Sequence, residues 1–536
     1  MKKALILVAA TALIFAVLVL PNHPGTMRWG ALNRFPLELP VLIFGLLAAG
    51  RVWGLPVGLA LVFVATTFIK LADYGMFTAY NRTFNPILDT FLIKAGIGLL
   101  GDSIGKPAAY AGVVVVVCLV IGLFFALLHA FRAWSRVALP QFARIGAACI
   151  AVFFTGMTIA DAGHHLKYWT FERSPPGTAW TSRLTFRRMV TMQDTAADLI
   201  AFSAEAKNDP YRDATNLFDK IGDRDVILIY IESYGRTSFE NPLYMDTHLT
   251  TLQAAEGPIR DAGFAIRSGW MTSPTEGGQS WLAHGTLGSG LWTSDNGRYN
   301  AMLASGHKWL FHFAAEAGYR TATIMPAITV GWPESSAMGF EIIHPAATIP
   351  YKGERFNWVT VPDQFTLGIY DELLGDDPRN DFIQIALITS HAPWVPIPEM
   401  LPWDALGDGT VFNQWATQGP TPRELWKDYD DVRDQYRIAI DYSLQATLEH
   451  VARLGDDAPL VIVVGDHQPA GFVSQIDSLD VPVHMMGPPG VIAQIDGWDW
   501  TDGLIPAADA PVWRMDAFRN RFIEAFTATN DLAQVR

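Results

Sequence analysis

Cysteine is almost absent from this chain of 536 residues. Its two cysteines, Cys118 and Cys149, both lie in apolar segments of the first third. The remaining two thirds can therefore hold neither a disulfide nor a thiolate metal site, and the stability of that part must come from its core. A surplus of basic side chains is also missing. The formal net charge of -14 argues against nucleic acid as a partner.

Charged residues are scarce in the first third of the chain. Five runs there have few or none: residues 4–20, 38–50, 53–72, 108–130 and 145–161. Because roughly 20 apolar residues in a helix cross the core of a bilayer, we predict a transmembrane helix bundle of about five helices within residues 1–162. No small-x-small cleavage site follows the first run, so we expect a retained helix rather than a signal sequence. The apolar stretch 84–102 contains charges and glycines, which is typical of an interfacial or re-entrant segment.

The basic residues that flank these runs predict an orientation. Lys2 and Lys3 precede the first run, and Arg132, Arg136 and Arg144 lie between the fourth and the fifth, as expected of cytoplasmic segments. Five crossings would place the rest of the chain outside the cytoplasm. We therefore expect a multi-pass protein of the cell (inner) membrane whose larger part is periplasmic.

Residues 163–222 are less hydrophobic and indicate a juxtamembrane helical linker. A Ser-Pro-Pro-Gly break at 174–177 precedes a segment with helical periodicity. Some basic side chains of this part could rest on anionic lipid head groups or form a solvated helix face, and the sequence leaves both readings open. They are Arg173, Arg183, Arg187 and Arg188.

From residue 223 to residue 536, strand-like runs alternate with helical segments. Continuous apolar runs lie at 225–231, 319–325, 381–389, 459–464 and 481–486, and a segment such as 435–454 has helical periodicity. This alternation predicts an α/β domain with a largely parallel sheet that is covered on both faces. Ligands gather beyond the carboxyl ends of such strands. Polar residues stand at these ends: Glu232, His391, Asp466 and His467.

Three of these polar residues, together with a serine, suit one chemistry. Glu232, Asp466 and His467 offer two carboxylates and an imidazole, which are ligands for a divalent ion. Ser280 lies on a Gly-rich turn that opens an apparent helix, where the backbone can approach a phosphate. A serine hydroxyl becomes a nucleophile only beside a base or a metal, so the two hypotheses depend on each other.

Ordinary structural roles compete with this hypothesis. Glu232 and Ser280 could be helix caps, Asp466 a turn residue and His467 a surface histidine. Neighbouring hydroxyls also compete for the role of nucleophile: Thr272, Ser273 and Thr275.

Four short motifs occur in an order that resembles the sulfatase-like part of the alkaline phosphatase superfamily. They are ESYG at 232–235, GGQSW at 277–281, ITSHAPW at 388–394 and VVGDHQP at 463–469. With five apolar runs ahead of an α/β part, the chain resembles the membrane-anchored phosphotransferases of that superfamily, of the lipoteichoic acid synthase type. The resemblance covers nearly the whole chain and implies an α/β sulfatase-like catalytic domain outside the cytoplasm, at 223–536.

The resemblance also implies a ligand set for one divalent metal ion. Glu232, Asp466, His467 and Ser280 match the family's metal ligands, and Ser280 has the place of the nucleophile, which is usually a threonine. Serine keeps the hydroxyl. Manganese is favoured by the resemblance, and magnesium or zinc would also suit these ligands.

Two further residues are implied to meet the substrate. His391 resembles the family histidine that contacts the substrate phosphate, and Trp332 resembles a tryptophan of the substrate pocket. Lipoteichoic acid synthases carry a His, an Asp and an Arg around this pocket, where equal spacing places Met325, Ala327 and Glu334 here. A phosphoglycerol donor is therefore not implied. The C/S-x-P-x-R run of formylglycine sulfatases is absent from the chain.

The resulting hypothesis is a metal-dependent transferase that is integral to the membrane. It would move a phospho-head group of phosphoglycerol or phosphoethanolamine type from a membrane phospholipid to an envelope glycan or lipid, through a phosphoserine. One alternative is a phosphodiesterase or phosphatase of the same superfamily. Another is a non-catalytic membrane sensor. A transporter is disfavoured because the apolar runs hold few charges.

Overall fold

A computed structural model describes residues 1–26, 35–80, 83–172, 176–329, 332–357, 359–455 and 458–528 of the protein. Two compact units divide the chain, Met1–Asp198 and Leu199–Arg536. The boundary between them falls inside one helix, Trp180–Glu205. The separate linker expected at 163–222 stays a prediction.

The first unit consists of helices. They are α1 (Lys2–Val19), α2 (Glu38–Ala49), α3 (Leu55–Tyr80), α4 (Phe91–Ile104), α5 (Lys106–Ser135), α6 (Gln141–His165) and α7 (Trp180–Glu205). Among the described helices, α1, α3, α5 and α6 are long and apolar enough to cross a membrane. All five predicted runs are helical, but α2 has 12 residues and rises only about 18 Å, less than the bilayer core. The side on which the second unit lies depends on the number of crossings and stays a prediction.

Two arginines of the expected linker are buried inside the first unit, which contradicts both readings offered for them. Arg188 donates to both carboxylate oxygens of Asp73 on α3, each at 2.8 Å. Arg183 has its Nε 3.7 Å from Oδ2 of Asp161 on α6. A buried guanidinium needs such a partner because an unpaired charge is costly to desolvate. Of the remaining two arginines, Arg187 is exposed and Arg173 lies outside the described residues.

The start of α7 is held to the membrane helices by a buried lysine as well. Lys70 on α3 donates from its ammonium to the carbonyl oxygens of Val17 and Leu18, at 3.0 and 2.9 Å, and to Thr181 Oγ1 at 2.9 Å. Each of the three N–H donors thus has an acceptor. Polar groups, rather than apolar packing alone, fix α7 against α1 and α3.

The second unit is built on a sheet of nine strands within the described residues. They are β1 (Val226–Ile231), β2 (Ala265–Thr272), β3 (Arg320–Met325), β4 (Ile342–Pro345), β5 (Asp381–Ala386), β6 (Leu460–Gly465), β7 (Asp480–Gly487), β8 (Thr501–Asp502) and β9 (Val512–Arg514). The order is β4-β3-β5-β1-β6-β7-β2-β8, with β9 beside β2. From β4 to β6 the strands are parallel, whereas β7 is antiparallel to both of its neighbours.

Helices of the second unit connect these strands. They are α8 (Thr237–Glu240), α9 (Met245–Asp261), α10 (Ser280–Ser289), α11 (Asn296–Ser305), α12 (Leu310–Glu316), α13 (Asp363–Gly368), α14 (Tyr370–Leu374), α15 (Asn413–Ala416), α16 (Pro422–Leu425), α17 (Tyr429–Ala452), α18 (Gly471–Ser474), α19 (Pro489–Ile492) and α20 (Ala517–Phe526). The predicted fold class, apolar helices followed by an α/β domain, is confirmed. Its sheet is parallel through five strands and mixed beyond them.

The sheet is buried on both faces. Alternate residues of β1, from Val226 to Tyr230, belong to one hydrophobic cluster, and those from Ile227 to Ile231 belong to another. Water is excluded from both sides, which explains why the strand is apolar throughout. Because β1 pairs in parallel with β5 and with β6, the loops that follow these three strands start side by side. Those loops carry the polar candidates.

Candidate metal centre

A strained turn after β1 positions Glu232. Ser233 has a φ of 60°, a left-handed conformation that costs a non-glycine residue roughly 1 to 2 kcal/mol. Its N–H donates to Asp466 Oδ1 at 2.8 Å, and the N–H of His467 donates to the same oxygen at 2.7 Å. The carboxylate after β6 therefore binds the turn after β1, so that the two loops form one structure.

Ser280 is brought to the same place by a turn with unusual backbone angles. Gly277, Gly278 and Gln279 have φ values of 67°, 137° and 66°. Glycine reaches such angles without steric cost. A Cβ on Gly277 would lie 3.0 Å from the Cα of Ala470 in the loop after β6, so glycine also lets the two loops touch. The turn leads directly into α10, whose first residue is Ser280, at the positive end of the helix dipole.

Four predicted site residues converge, and we call them the ligand cluster: Glu232, Ser280, Asp466 and His467. Ser280 Oγ donates to Glu232 Oε2 at 2.8 Å and lies 3.3 Å from His467 Nε2. His467 Nε2 is 3.2 Å from Glu232 Oε1 and 3.7 Å from Asp466 Oδ2. The other ring nitrogen, Nδ1, lies 2.8 Å from the carbonyl oxygen of Gln468 and donates to it. In the neutral ring, Nε2 then carries the lone pair that faces the cluster.

The ligand cluster holds its charges away from water. Burial would raise the pKa of Glu232, but the charge and the hydrogen bond of His467 bring that pKa well below its usual range. Burial, and next the charge of Glu232, raise the pKa of Asp466. For His467, burial acts downward, but the charges of Asp466 and Glu232 and a hydrogen bond to Glu232 raise the pKa to about 9. Protons thus balance a negative charge that the three side chains share.

These side chains fit a divalent cation. One ligand atom each from Glu232, Asp466 and His467 lies within 4.8 Å of the other two, a spacing that one ion can bridge after small side-chain shifts. All three side chains are buried. A cation would replace the shared protons and neutralise the excess of carboxylates. Two oxygens and one nitrogen suit manganese, magnesium and zinc alike, so the donor set does not choose the metal.

The rival hydroxyls have other partners. Thr272, Ser273 and Thr275 donate to a carboxylate on β7, to a carbonyl of the loop after β6 and to a carbonyl of the Gly-rich turn, at 2.7, 2.6 and 2.7 Å. Each of these bonds shapes a loop. Among the four hydroxyl candidates, Ser280 is the one that faces the carboxylate and the imidazole.

His391 lies in the loop after β5, beside the ligand cluster. Its Nδ1 donates to the carbonyl oxygen of Ala392 at 2.5 Å. Ser390 Oγ donates to the carbonyl oxygen of Glu232 at 2.7 Å and ties this loop to the turn after β1. Burial raises the pKa of Glu232, and the charge of His467 is the largest effect that lowers it. The charge of His391 lowers the same pKa by a smaller amount. Its contact with a substrate phosphate stays a prediction.

Trp332 is half-buried outside the ligand cluster. Its ring lies 6.3 Å from that of Phe340, centroid to centroid, and it packs against one of the two hydrophobic clusters of the sheet. Neither of these contacts involves the four side chains of the ligand cluster. Three positions near Trp332 in the sequence differ in residue type from the lipoteichoic acid synthases. Of these, Met325 is buried, whereas Ala327 and Glu334 are exposed. The pocket role of Trp332 stays a prediction.

A further histidine beside the cluster was not predicted from the sequence. His284 stands one helical turn after Ser280 on α10, with its ring 4.0 Å from the ring of Tyr230. Burial lowers the pKa of His284 to about 4, against the opposing charge of Glu232. Its Nε2 has no hydrogen-bond partner among the described residues. The spacing of four residues from Ser280 on a helix was the one signal that could have found it.

Neither a protein-family model nor a curated protein matches the chain. Solved structures do match it. The integral membrane protein lipooligosaccharide phosphoethanolamine transferase A of Neisseria meningitidis is 14% identical over 98% of this chain and 95% of that chain, with a TM-score of 0.45. The phosphoglycerol transferase GacH of Streptococcus pyogenes, in complex with sn-glycerol-1-phosphate, is 14% identical over 63% and 84%, with a TM-score of 0.37.

The lipoteichoic acid synthase LtaP of Listeria monocytogenes is 14% identical over 62% of this chain and 78% of that chain, with a TM-score of 0.36. These three proteins are of the kind that the four sequence motifs resemble. At such identities and TM-scores, the chemistry of this site has to be derived from its own residues.

Proposed function

We propose that this protein is a metal-dependent membrane phosphotransferase that moves a phospho-head group from a phospholipid to an envelope glycan or lipid through Ser280. One observation carries the proposal. The Ser280 hydroxyl lies 2.8 Å from a carboxylate oxygen of Glu232 and 3.3 Å from Nε2 of His467, at the start of α10. An alcohol beside buried metal-type ligands at a helix N-terminus is arranged for attack on a phosphate.

Glu232, Asp466, His467 and Ser280 would hold the divalent ion. A cation in this position would supply Lewis-acid charge and lower the pKa of the serine hydroxyl. The resemblance to the lipoteichoic acid synthase type favours manganese. The general order of metal affinities favours zinc over manganese, and magnesium suits the carboxylates.

In the first half-reaction, Ser280 Oγ would attack the phosphorus of the lipid phosphodiester and release its proton to solvent. The bond from phosphorus to the diacylglycerol oxygen breaks, that oxygen takes up a proton, and a phosphoserine that carries the head group remains. His391 would contact the non-bridging oxygens, and the N-terminus of α10 would face their negative charge. Trp332 would contact the head group.

In the second half-reaction, a hydroxyl of the acceptor would attack the same phosphorus and restore the Ser280 hydroxyl. The apolar helices of the first unit support this proposal, because a lipid donor is confined to the bilayer in which those helices would lie. A protein of the inner membrane with its second unit in the periplasm would meet such a donor and an envelope acceptor on the same side.

The test uses the full-length protein in detergent with manganese and isotope-labelled phosphatidylethanolamine or phosphatidylglycerol. We expect mass analysis of the Ser280 peptide to show a phosphoethanolamine or phosphoglycerol adduct, which also identifies the donor. Ser280→Ala should lose the adduct and all turnover, whereas Ser280→Thr should keep both in part because it keeps the hydroxyl. Ser294→Ala, which removes an exposed serine, is the matched control. Turnover that survives Ser280→Ala would disprove the nucleophile.

The two alternatives give different results in the same assay. A phosphodiesterase or phosphatase would release the phospho-head group or free phosphate when the acceptor is omitted. A membrane sensor would bind the metal without forming an adduct. No observation on the described residues favours either alternative over the transferase.

A further inference from the structure

Aromatic side chains form a partly exposed surface on the second unit. Trp426 and Tyr429 are 40% and 54% exposed, and both contact the half-buried Phe472. The ring centroids of Trp426 and Phe472 are 5.7 Å apart, and those of Tyr429 and Phe472 are 4.8 Å apart. We call these three residues the aromatic platform. Isolated exposed aromatics are common, whereas two exposed rings that both contact a third indicate a binding surface.

The aromatic platform is held rigidly from below. The buried ring of Trp394 lies parallel to that of Trp426, with an interplanar angle of 1° and centroids 6.1 Å apart. Trp394 Nε1 donates to the carbonyl oxygen of Ser390 at 2.7 Å. Arg433 donates twice to the carbonyl oxygen of Phe472, at 2.9 and 2.8 Å. Side chains fixed in advance lose little entropy when a ligand binds, so this support favours binding.

The same segments connect the aromatic platform to the ligand cluster. Ser390, which accepts the hydrogen bond of Trp394, donates its own hydroxyl to the carbonyl oxygen of Glu232 at 2.7 Å. Phe472 follows the loop after β6, in which Ala470 would lie 3.0 Å from a Cβ on Gly277 of the turn before Ser280. The aromatic platform thus stacks on the His391 loop, and its Phe472 lies two residues after Ala470, which touches the Ser280 turn.

The charges around the aromatic platform restrict what can bind there. Between residues 421 and 434 the chain has five carboxylates and three basic side chains. One of the basic groups, Arg433, is already bonded to Phe472 and to Asp430 at 2.6 Å. An anionic bilayer surface would be repelled by this excess of carboxylates. Sugar hydroxyls would donate to the carboxylates.

We propose that the aromatic platform binds the sugar rings of a neutral glycan and presents a hydroxyl of that glycan to Ser280. One face of a pyranose ring is formed by C–H bonds, whose positive hydrogens pack on the negative face of an aromatic ring. The inference rests on the proposed transferase function for the role of the glycan as acceptor. The binding of a sugar to the platform does not depend on turnover.

The test measures binding of neutral oligosaccharides to the full-length protein in nanodiscs of zwitterionic lipid. The probes are heptasaccharides of glucose, with α-1,4, β-1,3 or β-1,2 links, and of N-acetylglucosamine. Tryptophan fluorescence and calorimetry measure their binding. We expect at least one probe to bind, and Trp426→Ala and Tyr429→Ala each to weaken that binding at least fivefold. Trp426→Phe should keep part of the binding because it keeps a ring. Trp53→Ala, which removes an exposed tryptophan of the first unit, is the matched control.

A second measurement separates this inference from the proposed function. In the absence of acceptor, Trp426→Ala should form the Ser280 adduct within twofold of the wild-type yield, while Ser280→Ala should bind the oligosaccharide normally. If the wild type forms no adduct but binds the sugar through the platform, the transferase proposal fails and the sugar site stands. Absence of binding to every probe, or unchanged binding in both alanine variants, overturns the sugar site. If Trp426→Ala loses adduct formation but keeps sugar binding, the platform belongs to the lipid donor and the sugar site is likewise overturned.

Discussion

Both units of the protein bury charged side chains, but they neutralise them in different ways. In the first unit, Asp73 accepts hydrogen bonds from Arg188, from Asn22 Nδ2 at 2.9 Å and from the N–H of Phe84 at 2.9 Å. Its partners all come from the protein, and one of them carries the opposite charge. In the second unit, two buried carboxylates share one imidazole, so the negative charge exceeds what the side chains supply.

This contrast separates a structural ion pair from a ligand site. A buried charge that is matched by an opposite charge and by hydrogen bonds within the fold needs nothing further, as Asp73 shows. A buried cluster with an excess of one sign is costly unless protons or a cation complete it. Burial alone would have drawn attention to both units. The number of hydrogen-bond partners and the balance of charge signs identify the second unit as the one with a ligand site.

The largest expected effect tests the closed ion pair of the first unit. Asp73→Asn would leave the buried Arg188 without its counter-charge, and we expect the free energy of unfolding to fall by about 3 to 5 kcal/mol. Denaturant unfolding of the full-length protein in detergent, followed by circular dichroism, measures the change. The double variant Asp73→Asn, Arg188→Met should recover part of the loss, because no charge is then left unpaired and an amide oxygen can still accept from Asn22 and Phe84. A single variant as stable as the wild type would contradict the structural role.

The next effect tests the open cluster of the second unit. Asp466→Asn removes the carboxylate that binds both loops, and we expect manganese affinity to fall by more than about 100-fold, since outer partners of metal ligands alone are worth about 10 to 100-fold. Calorimetric titration of the metal-free full-length protein measures the affinity. Asp509→Asn, on an exposed carboxylate of the same unit, should leave the manganese affinity unchanged. Unchanged affinity in Asp466→Asn would show that the cluster is a structural network like that of Asp73.

A third prediction uses the protons that the open cluster shares. Below pH 9 the imidazole of His467 is protonated when no metal is bound, because its pKa is raised to about 9. Metal binding must release that proton, so the apparent affinity should rise about tenfold per pH unit from pH 6.5 to 8.5. Titrations at pH 6.5, 7.5 and 8.5 in buffers of different ionisation enthalpy measure both the affinity and the proton release. His284→Gln should leave the slope unchanged, since burial lowers the pKa of His284 to about 4. A flat profile would contradict the shared proton.

The strand ends of the site could be predicted because their signals are local. β1, β5 and β6 are apolar runs that end in polar residues, and parallel neighbours bring those ends together. β2 was not predicted, because it contains Arg267 and Ser268. The partners that make these residues acceptable in a buried sheet are distant in sequence: Arg267 bonds to Asp502 at 2.7 Å, and Ser268 bonds to His484 at 2.8 Å.

The ion pairs of α7 escaped prediction for the same reason. Helical periodicity shows that a helix has a polar face, but it does not show whether that face meets solvent or buried carboxylates. Arg188 and Asp73 are far apart in the chain, and only the fold brings them together. Ser280 was found because its Gly-rich turn is readable in the sequence, whereas the direction in which its hydroxyl points is set by loops from β1 and β6.

The smallest expected effect concerns the backbone that links the two loops of the open cluster. Ser233 has a φ of 60°, and its N–H bonds to Asp466 Oδ1 at 2.8 Å. Ser233→Gly should change the free energy of unfolding by less than about 1 kcal/mol, because relief of strain is offset by the greater entropy of the unfolded chain. Metal affinity should stay within threefold. Ser233→Val should weaken metal binding at least tenfold, since a β-branched residue resists this conformation and the N–H would leave Asp466. Calorimetry on both variants makes the comparison. If the glycine variant loses as much affinity as the valine variant, the hydroxyl of Ser233 rather than its backbone serves the site, and the two loops are joined by something other than the Asp466 carboxylate.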